Sequence, residues 1–204
     1  MPRTKAPQGA TDATGRARLL KAAMRLFAAK GYAGTSVRDI LRAAEVTAPA
    51  LYYHFGNKEG LFMALAREGS EKLDAARRDA FEQAGSTVDK IRRFCLANVS
   101  VRREFAELAW VVEAILTGPP EAAPHFDFRG KFLEMFRQLQ DLVREGVDNG
   151  ELRPCNPTHA ALVLLGFMEI ASRPRMAEMV GLAVDAEIEG TLSVILGGLA
   201  APDA

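Results

Sequence analysis

The chain has 204 residues, the size of one large domain or two small ones, and its 49% hydrophobic and 25% charged residues exclude disorder along its whole length. No apolar run reaches the ~20 residues that cross a bilayer. A formal net charge of zero hides an asymmetry: residues 1–60 hold ten Lys/Arg against four acids, a balance of +6, and the remainder carries −6.

The polar start, Met1-Pro2-Arg3-Thr4-Lys5, resembles no secretory leader. The two cysteines, Cys95 and Cys155, form neither a disulfide framework nor a zinc spacing, and the expected location is cytoplasmic. Residues 1–14 read as a flexible tail that carries Arg3 and Lys5. Leu20, Ala23, Met24 and Phe27 recur at helical spacing from about Gly15 to Lys30, and Gly31 stops the helix. Ser36 and Asp39 have the spacing of a capping box and open a two-turn helix through Val37, Ile40, Leu41 and Ala44. Thr47 caps a third piece, Ala48 to Phe55, in which Pro49 is tolerated because the first turn donates no intrahelical bonds.

Asn57 caps a longer helix through Leu61, Phe62, Leu65 and Leu73 to about Phe81. Further helical patterns cover Ser86 to Val101, Phe105 to Leu116 and Phe126 to Val147, with Gly118-Pro119-Pro120 as a stop. Asn156-Pro157 opens a helix to about Ser172, and Asp185 to Leu199 is the last. No segment alternates as a strand would. The expected fold is all-α with about nine helices: a tail over 1–14, a three-helix head over 15–60, and a larger helical domain over 61–204.

Three short helices within about 40 residues, the last two joined by a tight turn, describe a helix-turn-helix. The third is too short to stand alone, so Leu51 and Phe55 must anchor it on Leu20, Met24, Phe27, Ile40 and Leu41. That leaves its N-terminal turn, where unpaired amides favour phosphate, and its hydroxyl-bearing face. Small residues at Ala48 and Ala50 permit close approach to base edges.

The string Gly31-Tyr32-x-x-Thr35-Ser36-x-x-Asp39-Ile40, then Val46-Thr47 and Leu51-Tyr52-Tyr53-His54-Phe55-x-Asn57-Lys58-Glu59-x-Leu61, resembles the DNA-binding head of the tetracycline-repressor (TetR) family over about residues 15–65. The resemblance implies backbone contacts at Ser36, Thr47, Tyr52, His54 and Lys58. It places Ala48, Pro49, Ala50 and Tyr53 toward the major groove of an operator. In one departure, Glu45 stands in the turn where the family usually has glycine; a left-handed conformation there would cost roughly 1 kcal/mol.

In the larger domain, Ala160 to Ile170 is apolar around nearly its whole circumference, so both sides need cover. Leu164 and Met168, with Ile188, Leu192, Ile195 and Leu199 of the last helix, are the expected dimer surface. Their pairing makes the two-fold four-helix bundle that the resemblance also implies. Phe94, Asn98, Arg102, Trp110, Phe132, Phe136 and Phe167 are candidates for lining a mostly apolar pocket, with Asn98 and Arg102 orienting a hydrophobic or amphipathic effector.

His125 and Asp127 alone make a poor metal site, and Cys155 before a helix is either a redox sensor or an inert thiol. No metal or cofactor is expected. No catalytic motif is present, so an enzyme is disfavoured. The reading is a ligand-responsive homodimeric DNA-binding regulator, most simply a repressor. The alternative is a DNA binder controlled by a protein partner or acting without an inducer.

Overall fold

A computed structural model describes residues 8–108, 111–112, 124, 126–182 and 184–200, without the side chains of residues 8–13. Nine helices are delimited among them: α1 (Gln8–Lys30), α2 (Val37–Ala44), α3 (Ala48–Phe55), α4 (Lys58–Glu82), α5 (Thr87–Glu104), α6 (Phe128–Asp148), α7 (Pro157–Ala171), α8 (Pro174–Met179) and α9 (Asp185–Leu199). Residues 106–108 and 111–112 are also helical, and one isolated bridge joins Leu152 to Ala200. The expected helix over Phe105 to Leu116, its Gly118-Pro119-Pro120 stop, and Arg3, Lys5, Trp110 and His125 fall wholly or partly outside the described residues.

Two expectations need correction. Helix α1 begins at Gln8, not Gly15, so the second half of the expected tail is helical. The six-residue α8 is an addition to the expected elements, because one turn and a half shows no periodicity. The chain divides into two compact units, Met1–Gly69 with Glu107–Phe126 and Ser70–Ala106 with Asp127–Ala204. The division falls within α4, later than the expected boundary after residue 60.

The first unit closes around Leu19, Leu20, Ala23, Phe27, Ile40, Leu51, Leu61, Phe62 and Leu65, all buried. Phe27, Tyr32 and Phe62 form an aromatic cluster with centroids 5.3–5.9 Å apart. Met24, Leu41 and Phe55, expected in this core, are half-buried; the Arg16 guanidinium lies 5.6 Å from the Phe55 ring centroid. Gly31 ends α1 with φ of 72°, a conformation open to glycine without strain.

The second unit packs α5, α6, α7 and α9 around Ile91, Phe94, Cys95, Leu139, Val143, Leu164, Met168, Ile188, Leu192 and Leu196. Ser86 and Asp89 complete a capping box on α5, and Asn156 accepts the amides of Thr158 and His159 to cap α7. Burial pushes the Cys95 thiol up to about 12, which keeps it protonated and inert.

Candidate nucleic-acid interface

The head is built by three local devices. Ser36 caps α2: its hydroxyl accepts the Asp39 amide at 3.1 Å and donates to Asp39 Oδ2 at 2.7 Å. The hydrogen bonds from Ser36 hold the Asp39 carboxyl below the ordinary carboxylate range. The Ser36 proton is therefore occupied. What this corner offers a phosphate is the first-turn amides of Val37 and Arg38, which have no carbonyl a turn earlier.

The second device is the turn. Glu45 has φ 51° and ψ 46°, the left-handed conformation that its place in the sequence demands of a family glycine. Sequence reading missed the residue that holds it. Arg18 Nη2 donates to the Glu45 carbonyl at 2.8 Å and to Glu45 Oε2 at 3.2 Å. A glutamate where the backbone wants glycine was the available signal.

The third device is the start of α4. Asn57 Oδ1 accepts the Gly60 amide at 2.7 Å, and Lys58 turns inward to the main chain. Lys58 Nζ donates to the carbonyls of Tyr32 and Thr35 and stands 4.1 Å from the Tyr32 ring centroid. The structure thus gives Lys58 a scaffold role alongside the phosphate contact that the resemblance implies.

On these supports sits α3. Leu51 is buried and fixes the rod, whereas Thr47 and Pro49 are exposed and Ala48 and Ala50 half-exposed. Tyr52 is 55% exposed and Tyr53 76%, so both tyrosines face solvent. Thr47 stands at the N-cap as expected but, contrary to that expectation, makes no capping bond with its side chain, leaving its hydroxyl for another acceptor. His54 is half-buried, its ring 5.1 Å from that of Tyr53, and it lines an open groove with Arg16, Phe55 and Arg67. Hydroxyls, small residues and helix-start amides on one rigid face suit the phosphates and groove edges of a duplex.

The candidate residues of the second unit are distributed differently from expectation. Phe94 and Phe167 are buried and Phe136 packs against the same core, but Phe132 is 39% exposed and is not among the side chains of that core. Asn98 is buried, with its amide donating to the Phe94 carbonyl of its own helix at 2.8 Å. Arg102 grips Glu169 with both terminal nitrogens, and Arg173 reaches the same carboxylate at 3.2 Å. Burial pushes the Glu169 carboxyl up, but the hydrogen bond and charge of Arg102, helped by Arg173, outweigh it and leave it below its ordinary value. Neither Asn98 nor Arg102 is the unengaged orienting group that the sequence pattern suggested.

The residues expected at the dimer surface are placed by the fold of the single chain as follows. Leu164, Met168, Ile188 and Leu192 are buried inside their own unit, with Ile195 and Leu199 packed against that core. The opposite faces of α7 and α9 carry the exposed apolar side chains Leu162, Val163, Ile170 and Val194, with Gly166, Gly190 and Gly197 between them. No helix among the described residues is long and apolar enough to cross a membrane. Nor do they include a group of three or more His, Cys, Asp or Glu placed to hold a metal ion.

A capped two-helix turn with its second helix exposed, in an otherwise all-helical chain, defines a helix-turn-helix DNA-binding regulator. The family described as bacterial regulatory proteins, tetR family, matches residues 19–65. The chain is 30% identical over 186 residues to the HTH-type transcriptional repressor AcnR of Corynebacterium glutamicum, covering 87% of this chain and 92% of that protein. Its fold is similar to PfmR, a TetR-family regulator of Thermus thermophilus, with TM-score 0.69, 28% identity, and coverage of 91% and 97%. It is also similar in fold to the ketosteroid transcriptional regulator KstR2 of Mycobacterium tuberculosis, with TM-score 0.72, 21% identity, and coverage of 92% and 95%. The chain belongs to the tetR family of bacterial regulatory proteins and is a DNA-binding transcriptional regulator.

Proposed function

We propose that the chain works as a dimeric repressor, held on a palindromic operator by two recognition helices and released by a hydrophobic small molecule. The observation that carries this reading is α3 itself: Leu51 anchors it while Thr47, Pro49, Tyr52 and Tyr53 are exposed. In a two-fold dimer, two such helices enter successive major grooves about one turn apart. Leu162, Val163 and Ile170 of α7 and Val194 of α9 supply the apolar surface that a second copy would cover, and the intervening glycines allow close helix approach.

The second unit supports an apolar effector through its aromatic content, Phe94, Phe136 and Phe167 in particular. A structural neighbour named as a ketosteroid regulator supports the same chemical class. Such an effector needs to favour the released conformer by only about 1–3 kcal/mol, the usual size of allosteric coupling. Helix α4, whose residues continue from the first unit into the second, is the lever we assign to this coupling.

Footprinting on the intergenic DNA flanking its gene tests the proposal. Protection of an inverted repeat, lost on adding a steroid- or acyl-type compound, is the expected result. Protection that no small molecule relieves, but that a protein fraction does, would replace the effector with a protein partner.

A further inference from the structure

The turn between α2 and α3 sets how the recognition helix leaves its scaffold. It is a Schellman motif: the Val46 amide donates to the Leu41 carbonyl at 3.2 Å, and the Glu45 amide to the Arg42 carbonyl at 3.4 Å. Its left-handed position is filled by Glu45, the only non-glycine with positive φ among the described residues. A side chain there crowds the backbone, so the conformation needs support that glycine would not.

Arg18 supplies that support from α1. Its Nη2 bond to the Glu45 carbonyl, 2.8 Å long, pins the peptide that leaves the strained residue and ties the turn to a helix 27 residues earlier. The same nitrogen lies 3.2 Å from the Glu45 carboxylate, which offsets an acid that would otherwise face the phosphates unopposed. As an exposed ion pair the contact is weak. As a charge-assisted bond to a carbonyl in a constrained turn it fixes geometry.

We infer that Arg18 is a positioning residue for DNA recognition: it holds Glu45 in its left-handed conformation and thereby sets the angle at which α3 meets the duplex, without contacting DNA itself. The inference rests on α3 being the recognition helix, and its test uses a duplex that the wild-type protein binds. Arg18→Ala is expected to weaken binding by about fivefold to tenfold, on the scale that one lost interaction imposes. Glu45→Gly alone keeps or raises affinity, because glycine needs no clamp and the acid is gone. Arg18→Ala/Glu45→Gln, which removes the charge but keeps a side chain in the turn, should stay weak.

The deciding variant is Arg18→Ala/Glu45→Gly, expected to bind within about twofold of wild type with an unaltered salt dependence, since no phosphate contact is lost. Amide exchange at Val46 should quicken in Arg18→Ala and slow again in the double variant. A double variant as weak as Arg18→Ala, with its salt slope reduced by about one, would make Arg18 a direct phosphate contact and overturn the inference. Wild-type affinity in Arg18→Ala would overturn it as well.

Discussion

Lys58 Nζ donates to the Thr35 carbonyl at 2.9 Å, joining the first residue of α4 to the loop that precedes α2. Thr35 is itself buried, and its hydroxyl donates to the Gly31 carbonyl at 2.8 Å and contacts the Leu26 carbonyl at 3.2 Å. One ammonium and one hydroxyl therefore close the end of α1, the loop after it and the start of α4 into a single knot. The knot thereby joins the two ends of the segment that contains α2 and α3.

That knot changes what Lys58→Met should do. A lysine that only touched phosphate would lower operator affinity and leave stability alone. With two carbonyls and the Tyr32 ring as partners, its loss should also destabilise the first unit by about 1–2 kcal/mol. Thermal unfolding beside an affinity measurement separates the two: an unchanged melting temperature would contradict the scaffold role.

Caps give an internal contrast between stability and binding. Ser36 is bonded into its capping box, so Ser36→Ala should cost about 1 kcal/mol in urea unfolding. Thr47 also precedes a helix but makes no capping bond, so Thr47→Ala should leave stability unchanged and weaken operator binding. Tyr52→Phe, which deletes a hydroxyl from a side chain 55% exposed, should behave like Thr47→Ala. Equal stability losses at Ser36 and Thr47 would remove the distinction.

Local chemistry made several helix starts legible. Ser36 with Asp39, Asn57 and Asn156-Pro157 each announce a helix start within four residues, and all three cap as their spacing predicts. Glu45 was visible as a misfit, but Arg18, which accommodates it, lies 27 residues away where no periodicity points. The same limit hid Glu169 from Arg102, 67 residues apart, so that a paired arginine read as an available one. In α7 the difficulty was different. A helix apolar on every side gives no signal of which face is core, and Leu164 and Leu162 are indistinguishable by pattern.

The Arg102–Glu169 pair predicts a pH signature. Because Glu169 titrates below its ordinary value in the folded chain, its contribution is present above the unfolded-state value and fades as the pH falls through the folded one. Arg102→Met removes the bidentate partner and should destabilise the second unit by about 1.5 kcal/mol near neutrality. The gap between variant and wild type should close in acid below the usual glutamate range, once Glu169 is protonated in both. A gap independent of pH would assign the loss to packing of the arginine stem alone.

The two faces of α9 should separate assembly from folding. Val194 is 77% exposed in the single chain, so Val194→Lys has nothing to disrupt in the unit's own core and should leave its helicity and melting behaviour intact. If a second copy covers that face, the same lysine places a charge against apolar side chains of α7 and α9, and light scattering at micromolar concentration should report a monomer. Leu192 lies two residues earlier and is fully buried, so Leu192→Ala should cost about 2–5 kcal/mol in unfolding. A dimeric Val194→Lys with undiminished operator binding would show that the second copy, and with it the spacing of the recognition helices, is set by a different surface.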